Sequence, residues 1–384
     1  MGKPRLIAGP AAEHTGFNPY VHGARGLFAA QILVFHILGA DWPVYPAAWT
    51  GAGHLLMRVC EYGVELFFCI SGYVMVQAMA RANGTWHFLR DRAIRIVPLL
   101  WVNVAASGVF GMLNGHRPVW SQPASEIAVV GLANMFALPG LFSIWLFNPA
   151  TWSLSYEMLF YILCAIWLGA SSGQQGAHKV AVAVVGGALL LCYPRALPFV
   201  VGILVGLHRR PSTERSASSP GVMLAAFLLL WATIQAITSD GVLLIDTTLV
   251  EWSGDLRLAL AAAALCCLLF GFGGLVEGAG LLGRFLTGTA MQFLGTISYS
   301  FYLWQNTAMG ASRRIIRMLI AHDPGMPLVM AAFPVLTVAI LLALAVASHR
   351  LIEVRFTRWV RRRFVFGQAT PTTPPAGRRS GTSD

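Results

Sequence analysis

The chain has 384 residues, of which 56% are hydrophobic and only 11% are charged. A soluble globular protein is about half apolar and a quarter charged, so this chain has too few charges to cover a water-facing surface. That composition excludes a disordered chain, a solenoid of polar repeats and a small secreted domain held by disulfides. It predicts an all-α fold, a polytopic integral membrane helix bundle.

Apolar stretches close to twenty residues long predict the membrane-spanning helices. A break at Tyr193-Pro194-Arg195 separates two short stretches, which we merge into one interrupted span, so that about ten transmembrane helices are expected. In chain order the stretches are 24–40, 59–80, 93–113, 127–146, 152–170, 178–192, 196–207, 221–238, 256–273, 291–310 and 327–347.

The net charge of +11 comes from arginine, since only Lys3 and Lys179 are lysines. Most of the arginines lie between apolar stretches or near the C-terminus, which favours positive-inside topology and contact with anionic membrane lipid over a nucleic-acid partner. With the N-terminus in the cytoplasm, the basic loops 81–95 and 209–215 are inside and the acidic loop 240–255 is outside. The basic segment 313–317 then falls outside, against the rule.

These patterns predict a simple domain organisation. We expect a cytoplasmic lead-in at 1–20, a transmembrane domain at 21–366, and a disordered cytoplasmic tail at 367–384 that is rich in proline and arginine. The six cysteines lie within or beside apolar stretches and show no metal-ligand spacing. We therefore predict no disulfide and no metal site.

Ionisable residues inside the apolar stretches require an explanation, because inserting each charged side chain into lipid costs several kcal/mol, roughly 2.5–3.5 on insertion scales. Arg25 and His36 are eleven residues apart, which places both on one helix face with about 16 Å between them. His36 lies deep in the predicted span. It is either a buried histidine bonded to a neighbouring helix or a general base shielded from water.

Arg92 and Arg95 share a helix face at the start of the third predicted span. They are either anchors at the membrane surface or a clamp for phosphate, whose oxygens fit the guanidinium fork. The intramembrane carboxylates either neutralise arginines inside the bundle or assist catalysis. They are Glu61, Glu65, Glu157 and Glu353.

Five blocks, taken together and in order, resemble the membrane acyltransferase 3 family, which O-acylates sugars and envelope polymers. The first runs from Asn18 to His36 and contains Arg25-Gly26-Leu27. The others are Gly63 to Tyr73 with Phe67-Phe68 and Ser71-Gly72, Arg92 to Pro98, Trp152 to Tyr161 with Glu157, and Ile297 to Leu303. The chain departs from the family at Gln305, where a histidine is common, and at His22-Gly23-Ala24-Arg25, where an acidic residue often precedes the arginine.

The resemblance implies an O-acetyltransferase-type enzyme in the bacterial inner membrane. The positive-inside rule, applied to the arginines, predicts that both termini are cytoplasmic. The enzyme's donor would be acyl-CoA, most often acetyl-CoA, held by Arg25, Arg92 and Arg95. Its acceptor would be a carbohydrate or glycoside hydroxyl, deprotonated by His36, with Glu157 or Glu65 orienting the imidazole.

Two other classes fit the composition equally well. A proton-coupled transporter or flippase of a sugar-containing substrate also buries histidine and glutamate, but often shows internal repeats, which this sequence lacks. A structural or regulatory membrane protein could use the charges only to join helices. The five blocks favour the enzyme.

Overall fold

The structure, a computed structural model, describes residues 17–45, 50–114, 118–169, 175–208, 219–238, 247–278, 280–319 and 326–364, and this part of the chain contains helices and no strand. The predicted tail at 367–384, residues 1–16 of the lead-in and the basic loop at 209–215 lie outside the described residues. The α-helices are α1 Pro19–Leu38, α2 Gly51–Glu61, α3 Gly63–Ala80, α4 Thr85–Asn114, α5 Ala124–Met135, α6 Trp152–Leu168, α7 Gln175–Cys192, α8 Leu197–Leu207, α9 Pro220–Ile237, α10 Leu256–Val276, α11 Gly280–Leu286, α12 Thr289–Leu319, α13 Met326–Ser348 and α14 Thr357–Phe364.

The predicted fold class is confirmed, whereas the predicted number of about ten spans is not. Among the described residues, seven helical segments are long and apolar enough to cross a membrane, and three shorter apolar helices accompany them. The seven are Pro19–Leu38, Gly51–Ala80, Thr85–Leu113, Pro149–Leu168, Pro220–Ile237, Leu256–Val276 and Pro327–Arg363. Many large apolar side chains on these helices are exposed, as expected for surfaces that face lipid.

Helix α1 has well-defined ends that shift the position of His36. Asn18 caps its start, with Oδ1 accepting hydrogen bonds from the backbone N–H groups of Tyr20 and Val21 at 2.9 and 3.1 Å. Gly39 is the C-cap residue, so His36 lies in the last turn. The predicted span was 24–40, whereas the helix runs from Pro19 to Leu38. His36 therefore lies two residues from the end of the helix, against four in the predicted span.

Helix α12 packs along α1 in the same direction. Near the start of both helices, His22 Nε2 lies 3.1 Å from Thr296 Oγ1, and further along Ala40 packs against Met309. We call the end of the bundle where α1 begins the inner end and the end where α1 finishes the outer end. These names follow the orientation that the arginine distribution predicts.

The fourth predicted span, 127–146, is wrong as a continuous helix. Helix α5 ends at Met135, and Ala137 has a φ of 53°, which a helix cannot continue through. Asn134 holds the chain that follows: its Nδ2 donates to the Trp145 carbonyl oxygen at 2.8 Å and its Oδ1 accepts from the Phe147 N–H at 3.0 Å. The irregular segment leads to α6.

Close helix packing depends on glycine at two interfaces. A Cβ on Gly202 of α8 would lie 1.9 Å from the carbonyl oxygen of Cys69 on α3, and one on Gly72 would lie 2.1 Å from the carbonyl oxygen of Phe199. A Cβ on Gly295 of α12 would lie 2.2 Å from the His22 carbonyl oxygen on α1. Small residues let membrane helices approach to backbone contact. These contacts fix α1 and α3, which carry most of the candidate site.

Candidate active site

A small cavity of about 80 Å³ near the inner end brings together residues from five helices. Arg25 of α1, Ser71 of α3, Arg95 of α4, Glu157 of α6 and Tyr299 of α12 all line it. The sequence blocks that carry the family resemblance therefore meet in one place. Arg25, Arg95 and Glu157 were predicted as site residues, and the fold brings these three together.

Glu157 is held in this inner cavity by two neighbours. Ser71 Oγ donates a hydrogen bond to Glu157 Oε1 at 2.9 Å, and the hydroxyl of Tyr161, one turn further along α6, donates to the same oxygen. Tyr299 lies on the opposite wall and donates to the Ile96 carbonyl oxygen at 2.8 Å. The carboxylate is thus fixed among hydroxyl groups and beside arginines.

The arginines of the inner end keep hydrogen-bonding capacity. Arg25 Nε is buried without a hydrogen-bond partner among the described residues, as are Nε and Nη1 of Arg92. Arg95 lines the cavity, whereas Arg92 lies one turn earlier on α4 and does not. Buried polar groups are nearly always satisfied in proteins, so unpaired guanidinium groups at one end of the bundle suit an anionic ligand.

A second and much larger cavity, of about 650 Å³, opens at the outer end. Its polar lining includes Asn148 and Asn306, and its aromatic lining includes Trp42 and Trp120. Three arginines, Arg313, Arg314 and Arg317, come from the last turns of α12 and line it too. Its volume lies within the range typical of small-molecule sites. No sequence pattern that we used predicted this cavity.

Hydrogen-bonded side chains separate the two cavities. Asn148 Nδ2 donates to Asn103 Oδ1 at 2.7 Å and to the Leu303 carbonyl oxygen at 2.8 Å, and Asn306 Nδ2 donates to Asn148 Oδ1 at 3.2 Å. On the inner side of this group, the Tyr302 hydroxyl donates to the Ala150 carbonyl oxygen at 2.8 Å. Tyr302 lines the inner cavity, and Asn148 and Asn306 line the outer one. These hydrogen-bonded residues therefore form a polar partition between the two cavities.

His36 lies at the outer end of α1, apart from both predicted carboxylate partners. Its ring packs against Phe35 with 5.3 Å between centroids. Within the described part of the chain, no hydrogen bond to the imidazole is found. Neither Glu157, held by Ser71 and Tyr161, nor Glu65, held by Arg195, orients it. The predicted pairing of the imidazole with a carboxylate is not seen.

Glu65 forms an ion pair with Arg195 in the interior of the bundle. Glu65 is completely buried, and Arg195 is 7% exposed. The guanidinium carbon of Arg195 also lies 4.5 Å from the centroid of the Trp152 ring, within the distance of a cation–π interaction. Arg195 belongs to the short turn Pro194–Ala196 that separates α7 from α8. The sequence indicated this turn only as a helix break, and the pairing of Arg195 with Glu65 was not predicted.

Glu353, the last of the intramembrane carboxylates, lies in a π-helical segment, His349–Phe356, that follows α13. It accepts a hydrogen bond from Ser300 of α12 and pairs with His349 Nδ1 at 3.5 Å. Gln305, which stands where the family often has histidine, donates from Nε2 to the Ala29 carbonyl oxygen at 2.9 Å. Both residues tie α12 to its neighbours.

The chain also matches a family model, described as "Acyltransferase domain" (Acyl_transf_3), over residues 18–348. The chain belongs to the acyltransferase 3 family. This match covers every described residue of both cavities, and it confirms the family that the five sequence blocks indicated.

Several curated proteins are similar to parts of the chain. The exopolysaccharide production protein ExoZ of Rhizobium meliloti is 35% identical over 163 residues, 38% of this chain and 49% of ExoZ. Nodulation protein 10 of Rhizobium leguminosarum bv. viciae is 26% identical over 196 residues, 46% of this chain and 52% of that protein. The acyltransferase MdmB of Streptomyces mycarofaciens is 25% identical over 252 residues, 55% and 62% of the two chains. The chain thus spans about half the length of most of the curated relatives it matches, and no solved structure matches it significantly.

Proposed function

We propose that this protein is a membrane O-acyltransferase that moves an acyl group from acyl-CoA at the inner end to a sugar hydroxyl at the outer end. The observation that carries the proposal is the pair of cavities at opposite ends of one bundle, each lined by arginines and separated by hydrogen-bonded polar side chains. A donor and an acceptor that arrive from opposite sides of a membrane require such an arrangement. Membership of the acyltransferase 3 family supports it.

The inner arginines provide the donor side of the proposal. CoA carries several phosphate charges, and these stay at the membrane surface because burying them in lipid is costly. Arg92 and Arg95 bind the phosphates, and Arg25 guides the less polar arm of the donor into the bundle. The unpaired Nε of Arg25 and the unpaired donors of Arg92 support this assignment. The acyl group is most simply acetyl.

His36 provides the base in this proposal. The acceptor hydroxyl loses its proton to the imidazole as its oxygen attacks the thioester carbonyl carbon. The carbon–sulfur bond then breaks, and the departing CoA sulfur takes the proton from the imidazolium. His36 is about 16 Å further along α1 than Arg25 and lines neither cavity, so the donor arm has to extend that far along α1 to reach it.

The two carboxylates take different roles from those expected at first. Glu157 positions Ser71 and Tyr161 and balances the positive charge of Arg25 and Arg95 at the inner cavity. Glu65 holds Arg195, and through it the turn between α7 and α8. We therefore propose Glu157 as a residue that positions the donor site and Glu65 as a structural residue.

The acceptor in this proposal is a carbohydrate of the cell envelope or an exopolysaccharide. The name of ExoZ, a protein of exopolysaccharide production, supports that class. The protein would act in the bacterial inner membrane as a multi-pass protein with both termini in the cytoplasm, and residues 21–366 would form its acyltransferase domain.

Mass analysis of envelope and exported glycans tests this function directly. Cells that lack the protein, cells that carry it and cells that carry the His36→Ala variant are compared. We expect the added mass of an acyl group, about 42 Da for acetyl from its chemical formula, only in glycans of cells with the unaltered protein. Identical glycans in the three strains, together with proton-dependent sugar flux, would favour a transporter instead.

A further inference from the structure

The outer cavity carries a charge that the proposed acyl transfer does not explain. Three of its lining residues, Arg313, Arg314 and Arg317, are cationic, and one, Asp41, is anionic. Among the described lining residues, Arg313 and Arg317 alone outnumber Asp41, so this part of the cavity carries a positive excess. Neutral sugars do not require this excess. We propose that the outer cavity selects an acidic saccharide, one that carries a carboxylate, as the acceptor; this inference rests on the proposed function.

These arginines lie at the end of the bundle where basic residues are not expected. Basic residues are normally enriched at the cytoplasmic side of membrane proteins, and a cluster at the outer end runs against that tendency. The three arginines come from two successive turns of α12, which at 31 residues is about 46 Å long and extends past the end of α1. Their helix thus carries them beyond the apolar layer, next to the cavity mouth.

Arg313 lines the outer cavity, and its Nε is buried without a hydrogen-bond partner in the described part of the chain. Its guanidinium carbon lies 5.8 Å from the centroid of the Phe333 ring, which holds the side chain in place. No described carboxylate lies within ion-pair distance of it. A guanidinium fork binds a carboxylate with two parallel hydrogen bonds, and Arg313 is one of the residues that a carboxylate in the cavity would meet.

Besides the arginines, the cavity has aromatic rings, which are a second feature of a saccharide site. Arg317 lies over the Trp42 ring, 4.8 Å from its centroid, and Trp120 packs against Phe147 with 4.7 Å between centroids. All four side chains line the cavity. Flat rings provide surfaces for the C–H faces of sugars, while Asn148 and Asn306 offer amide groups to the hydroxyls.

The combination favours a saccharide over a lipid headgroup. A headgroup would need the arginines alone, at the membrane surface. The cavity instead continues inwards from Arg313 to Asn306 and Asn148, which belong to the polar partition in the bundle interior. A sugar chain whose carboxylate is bound by the arginines extends its neighbouring hydroxyls in that direction, towards the donor side.

Binding of matched acidic and neutral probes tests the proposal. The full chain is reconstituted in phosphatidylcholine nanodiscs, and calorimetry measures its affinity for trigalacturonic acid, trimannuronic acid and the methyl ester of each. The two uronides differ in hydroxyl configuration, so that stereochemistry alone does not decide the result. We expect at least one acid to bind about tenfold or more tightly than its ester, because esterification removes a charge-assisted hydrogen bond.

Variants assign the preference to the cavity. Arg313→Gln and Arg317→Gln should each reduce the preference for the acid about tenfold, whereas Arg313→Lys should keep most of it, which shows that the fold is intact. Arg257→Gln is the matched control: Arg257 pairs with Asp255 at the start of α10 and does not line the cavity. It should leave binding unchanged.

Several outcomes would overturn the inference. Equal binding of acid and ester, no binding of either acid, or an equal effect of Arg257→Gln would reject an acidic-saccharide site. If phosphatidylglycerol in the nanodiscs abolishes uronide binding by occupying Arg313, the cavity would be assigned to a lipid headgroup. Because no acyl donor is present, these results are independent of the proposed acyl transfer: glycan acylation can persist when the acid preference fails, and the preference can be found when acylation fails.

Discussion

Glu65 and Arg195, 130 positions apart in the sequence, form a buried ion pair in the interior of the helix bundle. Glu65 lies halfway along the helical segment Gly51–Ala80, one of those long enough to cross a membrane. Removing one partner of a buried pair leaves the other charge uncompensated, which typically costs about 3–5 kcal/mol. The pair therefore stabilises the contact between α3 and the turn that precedes α8.

Glu65→Gln should lower the thermal stability of the purified protein more than removal of both charges does. In Glu65→Gln the Arg195 guanidinium stays buried without a counter-charge. In Glu65→Gln/Arg195→Met both charges are gone, so the double variant should recover part of the lost stability. Size-exclusion chromatography after heating measures Tm for each. A double variant less stable than either single variant would show that the ion pair has another role.

His36→Ala should reduce acyl transfer by at least about 100-fold, the lower end of what a general base contributes. The variant should keep its yield and Tm, because the imidazole has no hydrogen-bond partner among the described residues. Transfer of radioactive acetyl from acetyl-CoA in isolated membranes measures the effect. His87→Ala, which alters an exposed histidine at the inner end, is the control and should retain activity. Substantial activity in His36→Ala would reject the base.

Arg92→Gln and Arg95→Gln should raise the KM for acetyl-CoA about tenfold with little change in the KM for the acceptor. Acetyl-dephospho-CoA lacks one phosphate, so the unaltered protein should prefer acetyl-CoA and the variants should lose part of that preference. Arg284→Gln, on α11 outside the inner cavity, is the control. Equal losses for both substrates would point to structural damage rather than a phosphate clamp.

Gly202→Ala should destabilise the bundle, because the new Cβ would lie 1.9 Å from the Cys69 carbonyl oxygen and force α3 and α8 apart. Overpacking of this kind typically costs about 1–3 kcal/mol. Gly187→Ala on α7 is the matched control, since nothing lies within 4 Å of its Cβ position. It should be neutral or slightly stabilising. Equal Tm values for the two variants would contradict the close packing described for α3 and α8.

Two local signals in the sequence mark the ends of α1, which the apolar pattern alone did not locate. Asn18-Pro19 is a capping pair that marks a helix start, and Gly39 marks its end. The apolar run at 24–40 ignores both signals and so begins five residues too late and ends two residues too late. For α5, Pro139-Gly140 in the apolar run 127–146 was a breaker signal of the same kind.

The other features that the sequence did not predict depend on contacts between residues that are far apart in the chain. The partner of Glu65 is 130 positions away, and nothing in a single sequence selects Arg195 from the other arginines. The inner cavity was predictable because its residues lie in the blocks that resemble the family. The outer cavity was not, because Trp42, Trp120 and the arginines of α12 lie outside those blocks and are joined only by helix packing.

The central claim is that the acyl group crosses the bundle from the inner arginines to an acceptor at the outer end. Proteoliposomes that contain the protein in a single, protease-mapped orientation test it most directly, with radioactive acetyl-CoA supplied on one side only and the glycan acceptor on the other. We predict labelled glycan only when acetyl-CoA is on the side of Arg92 and Arg95, and none with His36→Ala. Equal labelling with the donor on either side would contradict the account.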